Sequence, residues 1–310
     1  MIYPWLQAVV AEFEERLSGE RLPHALLLNG PAGTGKTELA DILIARLMCL
    51  ESGGIACGEC RSCRLLSSGA HPDHHRVTFE EHPRTGEPRR EIIVEQVRRL
   101  IAALTLTTSL SVRKTALIVP AEALNHNAAN ALLKTLEEPP GDTVMLLVSH
   151  DPARLPATIR SRCQNLNVRL PEQAEALQWL SAAAECDSAE AALALEAAAG
   201  SPLAALDMLK SGQTEVYRSV LRTLDDLGSG RADAAQALAA LAEVEPEHLW
   251  RWLSLKAAQR MRDNATAGLA SRTLAEMQQS ADRGRKLLQT PVRKDFLLQD
   301  WLIQWARLKA

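Results

Sequence analysis

The sequence predicts an α/β fold on a parallel sheet, followed by an all-helical region, and three observations carry that reading. Short apolar runs of strand length alternate with segments of helical period over residues 1–169. A glycine-rich loop, "GPAGTGKT", joins the first of these runs to the helix that follows it. Near Pro171 the strand-like runs stop, and Ala- and Leu-rich helical patterns continue to the end.

The elements follow in order. "HALLLNG" (24–30) reads as a buried strand ending at the glycine loop, and "TELADILIARLMCL" (37–50) as the helix after it. "HRVTFEE" (75–81) reads as a strand and "IIVEQVRRLIAALTL" (92–106) as an amphipathic helix. "KTALIVP" (114–120) is a second buried strand. "HNAANALLKTLEE" (126–138) is a helix stopped by Pro139 and Pro140. "TVMLLVS" (143–149) and "QNLNV" (164–168) are the last strands. Strands separated by helices predict a parallel sheet with helices on both faces. Residues 170–210 read as a small helical region with a Gly-Ser-Pro turn at Gly200–Pro202, and residues 211–310 as a second one punctuated at Gly228–Gly230 and Pro246. Leu297, Trp301 and Trp305 share one helical stripe. Core packing explains that stripe ahead of a ligand cage, with a subunit-facing surface as a further role.

The totals exclude several classes. A net charge of −3 over 310 residues rules out a basic nucleic-acid coat, so any DNA contact is local or shared. No apolar run reaches the roughly 18 residues of a membrane span, so no membrane partner is expected. The first residues, "MIYPWLQAVVAEFEERL", lack a basic n-region and a cleavage site. A cytoplasmic location is the expectation, and there the six cysteines stay reduced.

Gly30, Gly35, Lys36 and Thr37 complete a phosphate-binding loop, with Gly33 and Thr34 inside it. Glycines let backbone amides approach phosphate oxygens, and the next helix points its positive end at the anion. Lys36 is placed for the β- and γ-phosphates and Thr37 for Mg²⁺, so ATP with Mg²⁺ is the candidate ligand. Hydrolysis also needs an Asp for the metal and a Glu to polarise water at a strand end. Val119 and Pro120 stand there instead. Glu122 reads as a first-turn acid on the helix that follows, with a displaced catalytic base as the alternative.

Cys49, Cys57, Cys60 and Cys63 lie within "CLESGGIACGECRSC" (49–63), spaced for a structural, tetrahedral Zn²⁺. Gly53, Gly54 and Gly58 supply the turns, and His71, His74 and His75 are nearby but redundant as ligands. Cys163 reads as a small core residue. Ser149 reads as a polar residue at a strand end, with a cap or turn role as the alternative.

"NAANALLKTLEEPP" (127–140), "HDPARLPATIRSRCQ" (150–164) and the phosphate loop together resemble bacterial clamp-loader subunits of the AAA+ class. The resemblance implies a P-loop domain (1–169) carrying a zinc module at about 49–63, a helical lid (170–210) and a helical collar (211–310) for oligomerisation. It also implies partners: tau/gamma and delta subunits, and through the complex the sliding clamp and primed DNA. Two kinds of subunit fit. The ATP-hydrolysing tau/gamma kind keeps the acidic pair that Val119 and Pro120 replace, and a lid arginine where "GSPLAAL" puts Leu203. It also carries a long extension that is not seen here. The non-hydrolysing delta-prime kind tolerates these losses and begins with a segment like "YPWLQ". The match is close over 1–210 and rests on helical character and "TPVRKDFLLQDWL" beyond. In this family the arginine of "SRC", here Arg162, reaches into a neighbour's ATP site as an arginine finger. A local surface ion pair is the plainer reading of Arg162. Lys134 is a possible DNA contact, with a solvated helix lysine as its plainer reading. An active tau/gamma-type ATPase and a zinc-ribbon nucleic-acid binder remain the alternative functions.

Overall fold

A computed structural model describes all residues except 1, 20–21, 52–53, 83, 264–267, 289, 291–292 and 309–310; the side chains of 268–271 are likewise outside the description. Gly53 of the predicted turn and Pro291–Val292 of "TPVRKDFLLQDWL" therefore lie outside the described residues. Two compact units result, Met1–Pro171 and Glu172–Ala310.

The first unit is a five-stranded sheet in the order β2-β3-β4-β1-β5, with every pairing parallel. The strands are β1 (Ala25–Asn29), β2 (His74–Val77), β3 (Lys114–Ile118), β4 (Thr143–Ser149) and β5 (Gln164–Asn167). Alternate residues of the central strands feed two different cores, which is why these strands read as unbroken apolar runs. Leu27, Ile118 and Leu147 pack with α4 (Val94–Thr105) and α5 (His126–Glu137). Leu26, Leu28, Leu117 and Val148 pack with α1 (Gln7–Ser18) and α2 (Lys36–Met48) on the other face. The predicted sheet with helices on both faces is the observed one.

Two local expectations change. The strand expected over 75–81 stops at Val77, because β2 is an edge strand that pairs, among the described residues, with β3 alone. After its cap Cys60, "RSCRLLS" forms a short helix, α3 (Arg61–Ser67), an element not expected from the sequence.

The second unit is helical: α7 (Gln173–Ala184), α8 (Ser188–Ala197), α9 (Pro202–Lys210), α10 (Gln213–Gly228), α11 (Ala234–Leu241), α12 (Pro246–Asp263), α13 (Gly268–Leu287) and α14 (Lys294–Arg307). One apolar core runs from Ala176 to Trp305. Three of its buried tryptophans are hydrogen-bonded: Trp252 Nε1 donates to the Ala197 carbonyl at 3.1 Å, Trp301 to Met277 at 3.1 Å and Trp305 to Leu224 at 3.0 Å. Trp301 and Trp305 are 0% and 1% exposed, so they belong to this core and offer nothing to another subunit. Leu297 is only partly buried, and Leu298 and Leu302 complete the stripe. No single helix among the described residues is long and apolar enough to cross a membrane.

Candidate nucleotide and metal sites

The C-terminal ends of β1, β4 and β3 lie side by side, since Asn29 pairs with Ser149 and Ile118 with Leu147. That edge is where open parallel sheets bind ligands. The phosphate loop leaves β1 there. Gly30 (φ 151°) cannot be another residue: a Cβ would stand 2.0 Å from the Val168 carbonyl oxygen. Gly35 (φ 83°) starts α2, and a Cβ there would meet the Tyr3 ring at 2.6 Å. Gly33 also has positive φ, at 73°. Tyr3 stacks on Trp5, whose indole N–H donates to the Thr34 carbonyl at 2.9 Å. The "YPWLQ" segment thus braces the loop.

Lys36 is buried, and its ammonium donates to the Pro31 carbonyl at 2.5 Å and approaches Thr34 Oγ1 at 3.4 Å. Burial lowers its pKa to about 8, opposed by the charges of Glu122 and then Glu38. Thr34 is fully buried, its hydroxyl donating to the same Pro31 carbonyl at 3.0 Å. Thr37 is half-buried in the first turn of α2. All six loop residues therefore sit together at one strand end.

Val119 is core, 6% exposed, and Pro120 opens a 3-10 turn over Ala121–Ala123. Neither offers a metal ligand. Glu122 is the first-turn acid of the 3-10 turn that follows β3, as expected, and that turn precedes α5, which Asn125 caps by accepting from the Ala128 N–H. Glu122 Oε1 also accepts the His150 backbone N–H at 3.0 Å. Ser149 ends β4 fully buried with its hydroxyl unpartnered, so it does not act as a cap.

The four cysteines come together as predicted. Their sulfurs all lie within 4.8 Å of one another, with Cys49–Cys57 at 3.7 Å and Cys57–Cys63 at 4.0 Å. Sulfurs about 2.3 Å from one tetrahedral ion stand roughly 3.8 Å apart, so the set fits a metal. Backbone N–H groups point at three of the sulfurs: Cys57 N–H at Cys49 (3.4 Å), Cys60 N–H at Cys57 (3.3 Å) and Cys63 N–H at Cys60 (3.4 Å). Cys60 is the N-cap of α3, and that Cys63 amide leads the effects that pull its thiol down to about 6. Gly58 turns the chain between them at φ 76°. The group can hold a metal ion through four thiolates.

His71 is not a ligand. Ser62 Oγ donates to the Met48 carbonyl at 2.6 Å, so His71 Nε2–H must donate to Ser62 Oγ at 2.9 Å. His71 Nδ1 then accepts the Asp73 N–H at 3.1 Å. The Asp73 carboxylate takes the amides of Ser109, Leu110 and Ser111. This buried relay ties the cysteine module to the sheet, and spacing gave no sign of it.

Arg162 follows the short helix α6 (Ala157–Arg160). Its Nε donates to Glu137 Oε1 at 2.7 Å and its Nη1 to the Thr158 carbonyl at 3.0 Å. Within the lone chain it is thus in a local ion pair with the end of α5. Cys163 is buried core, its thiol pushed up to about 12 by desolvation. Lys134 is exposed on α5, and Leu203 is half-buried in α9.

A phosphate loop at the C-terminal end of β1 in a five-stranded parallel sheet, in a chain that also carries a helical unit, defines a P-loop protein. Residues 5–172 match the family model described as "DNA polymerase III, delta subunit". DNA polymerase III subunit delta' of Pseudomonas aeruginosa is 39% identical over 310 residues, 98% of this chain and 90% of that protein. The Escherichia coli subunit delta' is 33% identical over 254 residues, 81% of this chain and 74% of that protein. Likeness to the tau/gamma subunit of Haemophilus influenzae is partial: 32% over 173 residues, 56% of this chain and 24% of that protein. The chain belongs to the DNA polymerase III subunit delta' family.

Proposed function

We propose that the chain serves a clamp loader as a subunit that cradles a nucleotide without hydrolysing it and supplies Arg162 to a neighbour's ATP site. The observation that supports this most is the pairing of a complete phosphate loop with Val119 and Pro120 at the end of β3. Gly30, Gly33, Thr34, Gly35, Lys36 and Thr37 would take the phosphates, and Thr37 Mg²⁺. No carboxylate at 119 or 120 can hold the metal or accept the water proton. Arg162, with a fixed charge and planar fork, would leave Glu137 to meet the spread charge of a phosphoryl-transfer transition state. The cysteine group would hold structural Zn²⁺, which stabilises the module and takes no part in chemistry.

The partners proposed are tau/gamma and delta subunits, with the sliding clamp and primed DNA reached through the complex in the cytoplasm. Residues 170–210 would act as the lid and 211–310 as the collar. Reconstitution of the complex with clamp and primed DNA tests the central roles. ATP turnover should survive Lys36→Ala in this subunit and fall about 10³-fold or more at the adjacent site with Arg162→Ala. Unchanged turnover with Arg162→Ala would sink the finger.

A further inference from the structure

Among the described residues, six buried side-chain polar atoms have no hydrogen-bond partner, and three of them belong to residues at and just past the ends of β3 and β4: Glu122 Oε2, Ser149 Oγ and His150 Nδ1. Buried polar atoms are normally satisfied, so such a cluster marks a place shaped for something other than packing. Its position is fixed by the backbone. Ser149 is the residue of β4 paired with Asn29, immediately before the phosphate loop. Glu122 is tied to the next residue by the His150 N–H. The charges agree with this placement: Glu122 is the leading acidic influence on Lys36, and Lys36 and Glu122 both act on His150. No lysine or arginine is within salt-bridge reach of Glu122 among the described ion pairs, so its charge is left to act on the cradle.

We propose that Glu122 is a specificity-determining residue that makes this phosphate cradle prefer a nucleoside diphosphate to a triphosphate. The inference rests on the reading that the loop holds a nucleotide. A diphosphate ends at the phosphate held by the loop amides and Lys36. A triphosphate places one more anionic group on the side where the Glu122 carboxylate is anchored and partly desolvated. Like charges in such a setting repel strongly. In hydrolysing relatives of this loop class a strand-end Asp holds Mg²⁺ against that charge, and Val119 offers no such screening. Glu122 thus gives the subunit a cradle that a product-like nucleotide satisfies.

Equilibrium binding of ADP and ATP, each with Mg²⁺, to the full chain and to Glu122→Gln and Lys36→Ala tests this. The isosteric Glu122→Gln keeps an oxygen for the His150 N–H and removes only the charge. The native chain should bind ADP more tightly than ATP, and Glu122→Gln should narrow the gap roughly tenfold or more, mainly by tightening ATP. Tighter ATP than ADP in the native chain overturns the proposal without any variant. An unchanged ratio in Glu122→Gln, with binding still lost in Lys36→Ala, overturns it and leaves the cradle standing. If neither the native chain nor Glu122→Gln binds any nucleotide, the cradle reading falls and the proposal with it. An ATP turnover in the native chain that Glu122→Gln abolishes would make Glu122 a catalytic base and also overturn it.

Discussion

Around the cysteines, four sulfurs already lie within 4.8 Å of one another and three of them face backbone amides. Beside Lys36, by contrast, three buried polar atoms stand unpartnered and the ammonium turns back onto the carbonyl of its own loop. The first site can hold a metal ion with its sulfurs where they already stand. The second keeps polar capacity in reserve, as the proposed exchangeable nucleotide would require. The difference teaches that preorganisation shows in what each polar atom is already bonded to, and not in the motif alone.

Substitutions can break this contrast, and the largest effect belongs to the finished site. Cys60→Ala removes a ligand and the N-cap of α3 together. It should abolish stoichiometric zinc by elemental analysis and cost more than about 4 kcal/mol in chemical denaturation. A native chain without zinc, whose stability Cys60→Ala leaves unchanged, would show the cysteines to be unoccupied thiols. Next comes Gly30→Ala, whose methyl would collide with the Val168 carbonyl oxygen at 2.0 Å. A loss of about 3 kcal/mol or more, with nucleotide binding gone, is the expected outcome in melting and titration experiments.

Ser62→Ala sharpens the comparison from the other side. It strips the Met48 carbonyl of its donor and the buried His71 of an acceptor, so about 1–3 kcal/mol should be lost. Zinc content should stay the same, because Ser62 anchors the module without holding the metal. The most gradual effect is the pH response of Lys36. Its pKa is lower folded, about 8, than unfolded, 10.5, so the charged form disfavours the folded state. Stability should rise between those values by up to about 1.4 kcal/mol per pH unit, while nucleotide affinity falls by up to about tenfold per unit above pH 8. Lys36→Met should show neither trend, read by denaturation and titration across that window.

Much of the fold was legible because its strands are buried on both faces and bounded by turn residues. β4 spans the predicted 143–149, and α5 lies within the predicted 126–138. β2 was read too long, since an edge strand needs only the few residues its single neighbour pairs. α3 escaped notice because it has seven residues, too few for periodicity, and a cysteine as its cap. The phosphate loop and cysteine group were legible from spacing. Glu122 was not: its direction depends on β3 and β4 being neighbours, which local sequence does not state. The His71–Ser62 relay was hidden for the same reason, its parts being joined only through the folded backbone. Trp301 and Trp305 were legible as core from their four-residue spacing.

The most direct test of the central claim measures nucleotide binding and ATP turnover on the same purified chain. Saturable binding that Lys36→Ala abolishes, with no turnover above background, is the predicted result. Turnover by the lone chain that disappears with Lys36→Ala would contradict it.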